Sequence, residues 1–209
     1  MVGKDKGHEA LDFTSGYFAG FDLSGGNWKR CDFSHSDLRD ARLEKGHFDY
    51  ARFDHAEMNN AHAAAGHFNN ADFRTGAILD GIDATSAHFR ECTGSQVRFT
   101  GGTLSGADFS GAILPNSGLE GAVLKNTIFR RAQLKGSTFG FIEDTDFNLE
   151  GAAIDGSSVD DGSPGLACFS AVQHALLKRG YLPFVFRERS RPDEKGIETI
   201  AQVLSGSSC

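Results

Sequence analysis

Large apolar residues recur at every fifth position along most of the chain. In steps of five from Phe13 to Phe73, twelve of thirteen positions hold a large apolar side chain. The register slips by one residue near Gly76, and from Leu79 to Val159 fourteen of seventeen positions are again large and apolar. A period of five fits neither an α-helix, at about 3.6 residues per turn, nor a strand, at two. It predicts a chain that turns a corner every five residues and sends one large side chain inward from each side.

Small residues form a second repeat, two positions before each large one. Ala41, Ala51 and Ala71 are examples, and Cys31 and Cys92 fall at the same position. The remaining three positions are polar or glycine, which is typical of turns and solvent-facing sites. One coil of this kind cannot bury its large side chains alone, whereas stacked coils share a continuous core. The pattern therefore predicts a solenoid, in which both cysteines are packing thiols rather than reactive ones.

Short segments resemble a known family of repeats. ADF at Ala71–Phe73, SDL at Ser36–Leu38 and ADFSG at Ala107–Gly111 match the pattern A(D/N)LxX of the pentapeptide-repeat proteins, and the resemblance covers roughly residues 11–161. It implies an all-β solenoid, a right-handed quadrilateral β-helix with four repeats, or about twenty residues, per coil. We expect a polar lead-in over residues 1–10, the β-helix over 11–162 and a short α-helical C-terminal appendage over 163–209.

Departures from the repeat predict local irregularities in the rod. The one-residue slip should kink the rod or bulge one face. Ala84 and Gly94 leave central positions underfilled, and the neighbouring Ile82 and Val97, which occupy small-residue positions, are expected to compensate. Near the end of the repeats, Asp144 stands where an apolar residue is expected.

The C-terminal segment follows a different pattern. After Gly162 the period of five stops, apolar residues follow the spacing of one helical face, and several aromatic residues come next. An open end of a β-helix exposes strand edges and needs a cover. The segment is interpreted either as a cap on the last coil or as a homodimer interface, and both interpretations stay open. The residues assigned to this role are Leu166, Phe169, Val172, Leu176, Tyr181, Phe184 and Phe186.

Acidic residues dominate the repeat region. Up to Ser163 there are 15 basic and 24 acidic residues, whereas the remainder holds 6 basic and 4 acidic ones. An outward position just before each central residue is often acidic, although Arg52 interrupts the series. These acidic faces are candidates for binding a partner; the alternative is that aspartate is simply the residue the repeat prefers beside its turn. The candidate residues are Asp12, Asp32, Asp37, Glu57 and Asp72.

The sequence offers little support for catalysis. It contains no P-loop, GxSxG or HExxH motif, and a filled rod offers no water-excluding pocket. With twenty residues per coil, His35 would stack over His55 and His47 over His67, but a metal site usually needs three or four converging ligands. We therefore expect a non-enzymatic protein without metal or cofactor. The stacked pairs should resist double protonation near pH 6.

Two functions remain open from the sequence. The quinolone-resistance members of the resembled family, of the Qnr and MfpA type, are acidic rods that bind DNA gyrase and topoisomerase IV. The resemblance thus implies a DNA-mimicking binder of type II topoisomerase that protects against a drug or toxin. The alternative is a generic protein-interaction scaffold or effector module. In both cases we expect a protein partner, no direct nucleic-acid contact and a possible homodimer. No apolar run approaches 18 residues, so we expect no membrane contact. The four cysteines show no CxxC or other metal-binding spacing, which favours a reduced, cytoplasmic setting.

Overall fold

The chain forms a parallel, four-sided coil. The structure, a computed structural model, describes residues 10–139, 152–153 and 158–159. Parallel bridges join residues twenty apart, such as Asp12 to Asp32 and Tyr17 to Asp37, so each coil stacks directly on the next. The bridging residues form four outward columns. Face 1 comprises Asp12, Asp32, Arg52, Asp72, Thr93, Ile113 and Gln133; face 2, Tyr17, Asp37, Glu57, Ile78, Arg98, Gly118 and Thr138; face 3, Asp22, Arg42, His62, Asp83, Thr103 and Val123; face 4, Asn27, His47, His67, His88, Asp108 and Ile128.

Only short stretches qualify as strands, because each side of the coil is a few residues long. They are β1 (Asp72–Thr75), β2 (Thr93–Ser95), β3 (Gly118–Leu119), β4 (Thr138–Phe139) and β5 (Ser158–Val159). β1 pairs with β2 in one parallel sheet, and β3, β4 and β5 follow one another in a second. Elsewhere in the described part of the coil, single parallel bridges join neighbouring coils in place of strands. The stacked coil predicted from the period of five is therefore present in the described residues, whereas the α-helical appendage predicted over 163–209 lies outside them.

Each corner depends on one residue in the left-handed region. In the first described corner the Gly16 N–H donates to the Phe13 carbonyl oxygen at 2.9 Å, and Ser15 between them has φ 59°. This is the arrangement of a type II turn, whose third residue requires positive φ. The same conformation recurs every five residues, and many of these residues are not glycine, among them Ala65 at φ 53° and Arg131 at φ 57°.

The interior is filled by stacked rings. On the inner side of face 4, Phe48, Phe68 and Phe89 stack with centroid distances of 5.0 Å, and Phe109 follows at 4.7 Å. All four of these side chains are fully buried. Small residues beside them leave room for the rings, because a Cβ on Gly66 would lie 2.7 Å from the Phe68 ring. The alternation of large and small inward positions is thus the packing rule of the core.

The extra residue near Gly76 is accommodated as a bulge. Asp72 pairs with Thr93, twenty-one residues on, but Thr75 pairs with Ser95, twenty residues on, so the register shifts within β1. Later pairs such as Ile78 with Arg98 return to a separation of twenty. The prediction of a bulged face at the slip is confirmed.

Val97 compensates for the missing side chain at Gly94. A Cβ built on Gly94 would lie 2.5 Å from Val97 Cγ2, so the valine methyl occupies that space. Ile82 and Val97 are fully buried, as predicted for residues that fill the core from small-residue positions. Asp144 lies outside the described residues. Within those residues, no helix has the length and apolar character needed to cross a membrane.

Candidate interaction faces

The five candidate acidic residues occupy the predicted outward positions. Asp12, Asp32 and Asp72 lie on face 1, where Arg52 separates the last two, and Asp37 and Glu57 are bridge partners on face 2. The side chain of Glu57 is 52 % exposed, whereas that of Asp37 is 19 % exposed. The residues form two short columns rather than one converging site.

The aspartates among them have a structural role in the turns. Asp32 Oδ1 accepts the Ser34 N–H at 3.0 Å, and Asp12 Oδ1 accepts the Thr14 N–H at 2.9 Å. Hydrogen bonds from Thr14 hold the pKa of Asp12 below its usual range. Such bonds satisfy a backbone donor that the turn leaves free, which is why aspartate is favoured beside turns. Asp37 and Asp72 make the same contact with the residue two positions on.

Arginines neutralise the acidic columns. Arg52 Nη1 lies 2.7 Å from Asp32 Oδ2, and it comes from the next coil of the same face. Arg39 lies 2.6 Å from an Asp37 oxygen and 3.6 Å from Glu57 Oε2, so one guanidinium serves both acids of face 2. Hydrogen bonding to this guanidinium lowers the pKa of Asp37.

The net charge of the described coil is small. Residues 10–139 contain 13 basic and 15 acidic residues, a net charge of −2. The acidity of the repeat region is concentrated instead between residues 140 and 163, which hold seven acidic residues and no basic one. The acidity expected of the repeat region therefore comes from segment 140–163 of the sequence and not from the coils that carry the candidate acids.

A ladder of three histidines lies on face 4. The His47 and His67 rings stack at 4.7 Å, and the His88 ring continues the stack 4.9 Å from His67. Burial lowers the pKa of His67, and the two neighbouring imidazoles lower it further. The separate pair of His35 and His55 stacks at 5.1 Å. Both predicted pairs are confirmed.

Sequence reasoning missed the third histidine. A count of twenty from His67 reaches Ala87, and only the one-residue slip near Gly76 brings His88 into register. The one-residue slip is visible in the sequence. Applying the same offset to the outward positions would have predicted that His88 stacks on His67.

Within residues 10–139 and the two later described pairs, no group of three or more histidine, cysteine or acidic side chains converges on a possible metal position. Cys31 and Cys92 are buried free thiols, and burial raises the pKa of the Cys92 thiol. Both cysteines thus pack the core, as predicted. The C-terminal residues assigned to a cap or dimer interface, from Leu166 to Phe186, lie outside the described residues, so that assignment stays a prediction.

Comparison with known proteins identifies the repeat. The family model for pentapeptide repeats matches residues 13–48, 77–116 and 103–140, in eight copies. A comparison with curated proteins finds no match.

The solved structures that match this chain include HetL and QnrB1. HetL, a pentapeptide repeat protein involved in heterocyst differentiation regulation from the cyanobacterium Nostoc sp. strain PCC 7120, is 20% identical. The match covers 72% of this chain and 89% of HetL, with a TM-score of 0.35. QnrB1, a plasmid-mediated fluoroquinolone resistance protein, is 18% identical over 83% of this chain and 87% of its own, with a TM-score of 0.46. These values are too low to transfer a partner or an activity.

The family match and the coil agree with each other. The matched residues, as far as residue 139, lie in the described coil, where corners recur every five residues and coils every twenty; the same geometry continues through residues 49–76 between the matches. Pentapeptide-repeat proteins are right-handed quadrilateral β-helices, the fold expected from the sequence. The chain belongs to the pentapeptide-repeat family.

Proposed function

We propose that the protein is a non-enzymatic scaffold that binds another protein through the outward columns of its coil. The observation that carries this proposal is the filled interior: Phe48, Phe68 and Phe89 are fully buried and stack without a gap. Along the described coil these stacked side chains fill the interior, so a partner meets the outer surface. Stacked repeats create extended surfaces of this kind, which is the usual basis of binding by solenoid proteins.

The mixed charge of the columns favours a protein partner. Paired charges such as Arg52 with Asp32 and Arg39 with Glu57 join neighbouring coils in the early part of faces 1 and 2. Alternating charge fixes register and excludes wrong partners more than it adds affinity. Exposed apolar side chains occur on the same faces: Tyr17, 70% exposed, is the bridge partner of Asp37 on face 2, and Ile113, 40% exposed, lies further along face 1. Aromatic residues beside arginines are typical of the energetically important part of protein interfaces.

The narrower hypothesis, a DNA-mimicking binder of DNA gyrase or topoisomerase IV, has less support. About 6.5 coils at about 4.8 Å each make the described rod roughly 31 Å long. Duplex DNA carries one charge per about 1.7 Å, or about 18 negative charges over that length. The described coil has a net charge of −2. Mimicry would therefore have to depend on the acidic segment 140–163 rather than on the faces that carry Asp12 to Asp72.

Site-specific photocrosslinking tests the scaffold proposal. A photoreactive amino acid is placed at one outward position per face: Thr93, Ile78, Thr103 and His88. We expect a discrete crosslinked protein from one face or two adjacent faces, because a partner covers only one side of a rod. Crosslinks of equal yield from all four faces, or from none, would contradict the proposal. Replacement of Phe68 at the inward position serves as the control and should give no intermolecular product.

A further inference from the structure

A groove with a basic lining lies along the edge between faces 4 and 1. It has a volume of about 280 Å³ and spans three consecutive coils. Because residues twenty apart stack, the lining forms two short rows. One row holds Arg90, Ser110 and Arg130, and the other holds Glu91, Gly111 and Arg131.

Arg90 is held in place at this groove. Its Nε donates to Asp108 Oδ2 at 2.6 Å, and Asp108 Oδ1 also accepts the Ser110 N–H at 2.9 Å. The side chain of Asp108 is only 10% exposed, whereas that of Arg90 is 58% exposed. The guanidinium is therefore anchored on one side, and its terminal nitrogens make no other hydrogen bond within the described residues.

The centre of the groove is open because Gly111 has no side chain. Gly111 has φ 70°, and a Cβ at this position would approach only Glu91 Cγ, at 3.4 Å. Arg131 stands one coil further along the same row and has no ion-pair partner within the described residues. Arg130 adds a third guanidinium beside it.

The charge and shape of this lining match a phosphate group. Three arginines and Glu91 in the lining, together with the Asp108 carboxylate that pairs with Arg90, give this position a net charge of +1. A phosphate monoester carries about −1.5 to −2 at pH 7. The planar guanidinium presents parallel N–H donors that pair with phosphate oxygens, which makes arginine the preferred residue for phosphate recognition.

We propose that this groove binds a phosphoryl group, with Arg90 and Arg131 as its principal donors. The proposal does not depend on the scaffold function. A free phosphate would bind the groove through the same oxygens as a phosphate carried by a partner protein. The groove is thus a basic binding position on this edge, distinct from faces 1 and 2, where acidic and basic side chains are paired.

Titration of the full chain with inorganic phosphate and with phosphoserine tests the proposal. Binding is followed by ³¹P NMR or calorimetry in about 0.15 M NaCl, where charges further than about 8 Å away are largely screened. We expect saturable binding of one equivalent. The substitution Arg131→Gln should weaken it about tenfold, as expected when a charged hydrogen-bond donor is removed. Gln96 occupies an equivalent corner with φ 59°, so glutamine suits this conformation.

Two further variants separate a site from general charge attraction. Glu91→Gln removes the one carboxylate of the lining and should tighten binding several-fold. Arg74→Gln makes the same charge change as Arg131→Gln, but Arg74 lies on another edge, beside Asp72, and should leave binding unchanged. Equal loss in the Arg74 and Arg131 variants, or no saturation by about 10 mM phosphate, would overturn the proposal. If inorganic phosphate and phosphoserine bind with equal affinity, the groove recognises the phosphate group alone. If phosphoserine binds more tightly, the groove recognises a phosphate carried by a partner protein.

Discussion

At the scale of single residues, the corners set the strongest constraint. Every fifth residue adopts positive φ, and non-glycine residues do so at many corners, including Ala65, Tyr50 and Arg131. For residues with a Cβ the left-handed conformation costs roughly 1–2 kcal/mol. The hydrogen bonds between coils offset this cost; the Ala65 N–H, for example, donates to the Thr85 carbonyl oxygen at 2.8 Å. The fold therefore tolerates strained corners, because the hydrogen bonds between stacked coils stabilise it.

Ala65→Gly is expected to stabilise the protein, contrary to the usual effect of glycine. Relief of the left-handed conformation exceeds the entropic cost of glycine, so the free energy of unfolding should rise by about 0.5–1 kcal/mol. Chemical denaturation measures the change. Ala64→Gly, one residue earlier and without positive φ, serves as the matched control and should destabilise by about 0.5–1 kcal/mol. Destabilisation of equal size by both substitutions would contradict this account of the corners.

At the scale of elements, each column behaves as a ladder whose members change one another's properties. On face 4, His67 lies between His47 and His88, with Asp49 and Lys29 close enough to act on its charge. On the inner side of face 1, Val97 fills the space that Gly94 leaves. Substitutions in such ladders should therefore be coupled rather than additive.

The titration of His67 tests the histidine ladder. Its pKa lies below 6.5 because of burial and of its two neighbours. In the folded state His67 binds a proton less readily than in the unfolded state. The contribution of His67 to the free energy of unfolding is therefore highest above pH 6.5 and falls as pH drops through that value. NMR should show the His67 midpoint below 6.5, rising in His47→Gln but not reaching the reference value, since burial remains. His62→Gln, on face 3, is the control; if it shifted the midpoint as much as His47→Gln, the ladder would not be the cause.

A double-mutant cycle tests the compensation between Gly94 and Val97. In the wild type, Gly94→Ala places a methyl group 2.5 Å from Val97 Cγ2, and such overpacking typically costs about 1–3 kcal/mol. In the Val97→Ala background the clash with Val97 is removed and only the tight contact with Phe73 Cβ, at 3.0 Å, remains, so Gly94→Ala should cost clearly less than in the wild type. Denaturant unfolding of the four proteins gives the coupling energy. Additive effects of the two substitutions would show that the residues do not share the same space.

Much of the fold and part of the candidate site followed from the sequence. The period of five predicted the stacked coils, and the spacing of twenty predicted the stacking of His35 on His55. The stacking of His88 on His67 was missed because the one-residue offset near Gly76 was not applied to the outward positions. The pairing of Arg39 with Asp37 and Glu57 could not be predicted, because it depends on the direction of a long flexible side chain and not on register.

At the scale of the whole molecule, the distribution of charge supports the proposed scaffold over the narrower DNA-mimic hypothesis. Residues 10–139 carry a net charge of −2, and the seven acidic residues of segment 140–163 follow without a basic residue among them. The described coil therefore presents paired charges between Asp22 and Asp108 and a basic groove at the edge that holds Arg90 and Arg131. This arrangement suits a scaffold with distinct binding positions better than a uniform imitation of duplex DNA.

The most direct test of this account is a supercoiling assay with purified DNA gyrase, with and without a quinolone. Micromolar concentrations of the protein should neither inhibit supercoiling nor protect the enzyme from the drug, because the described coil lacks the dense negative charge that a DNA substitute requires. Inhibition that added DNA relieves, or protection from the quinolone, would contradict the account and favour the topoisomerase-binding hypothesis instead.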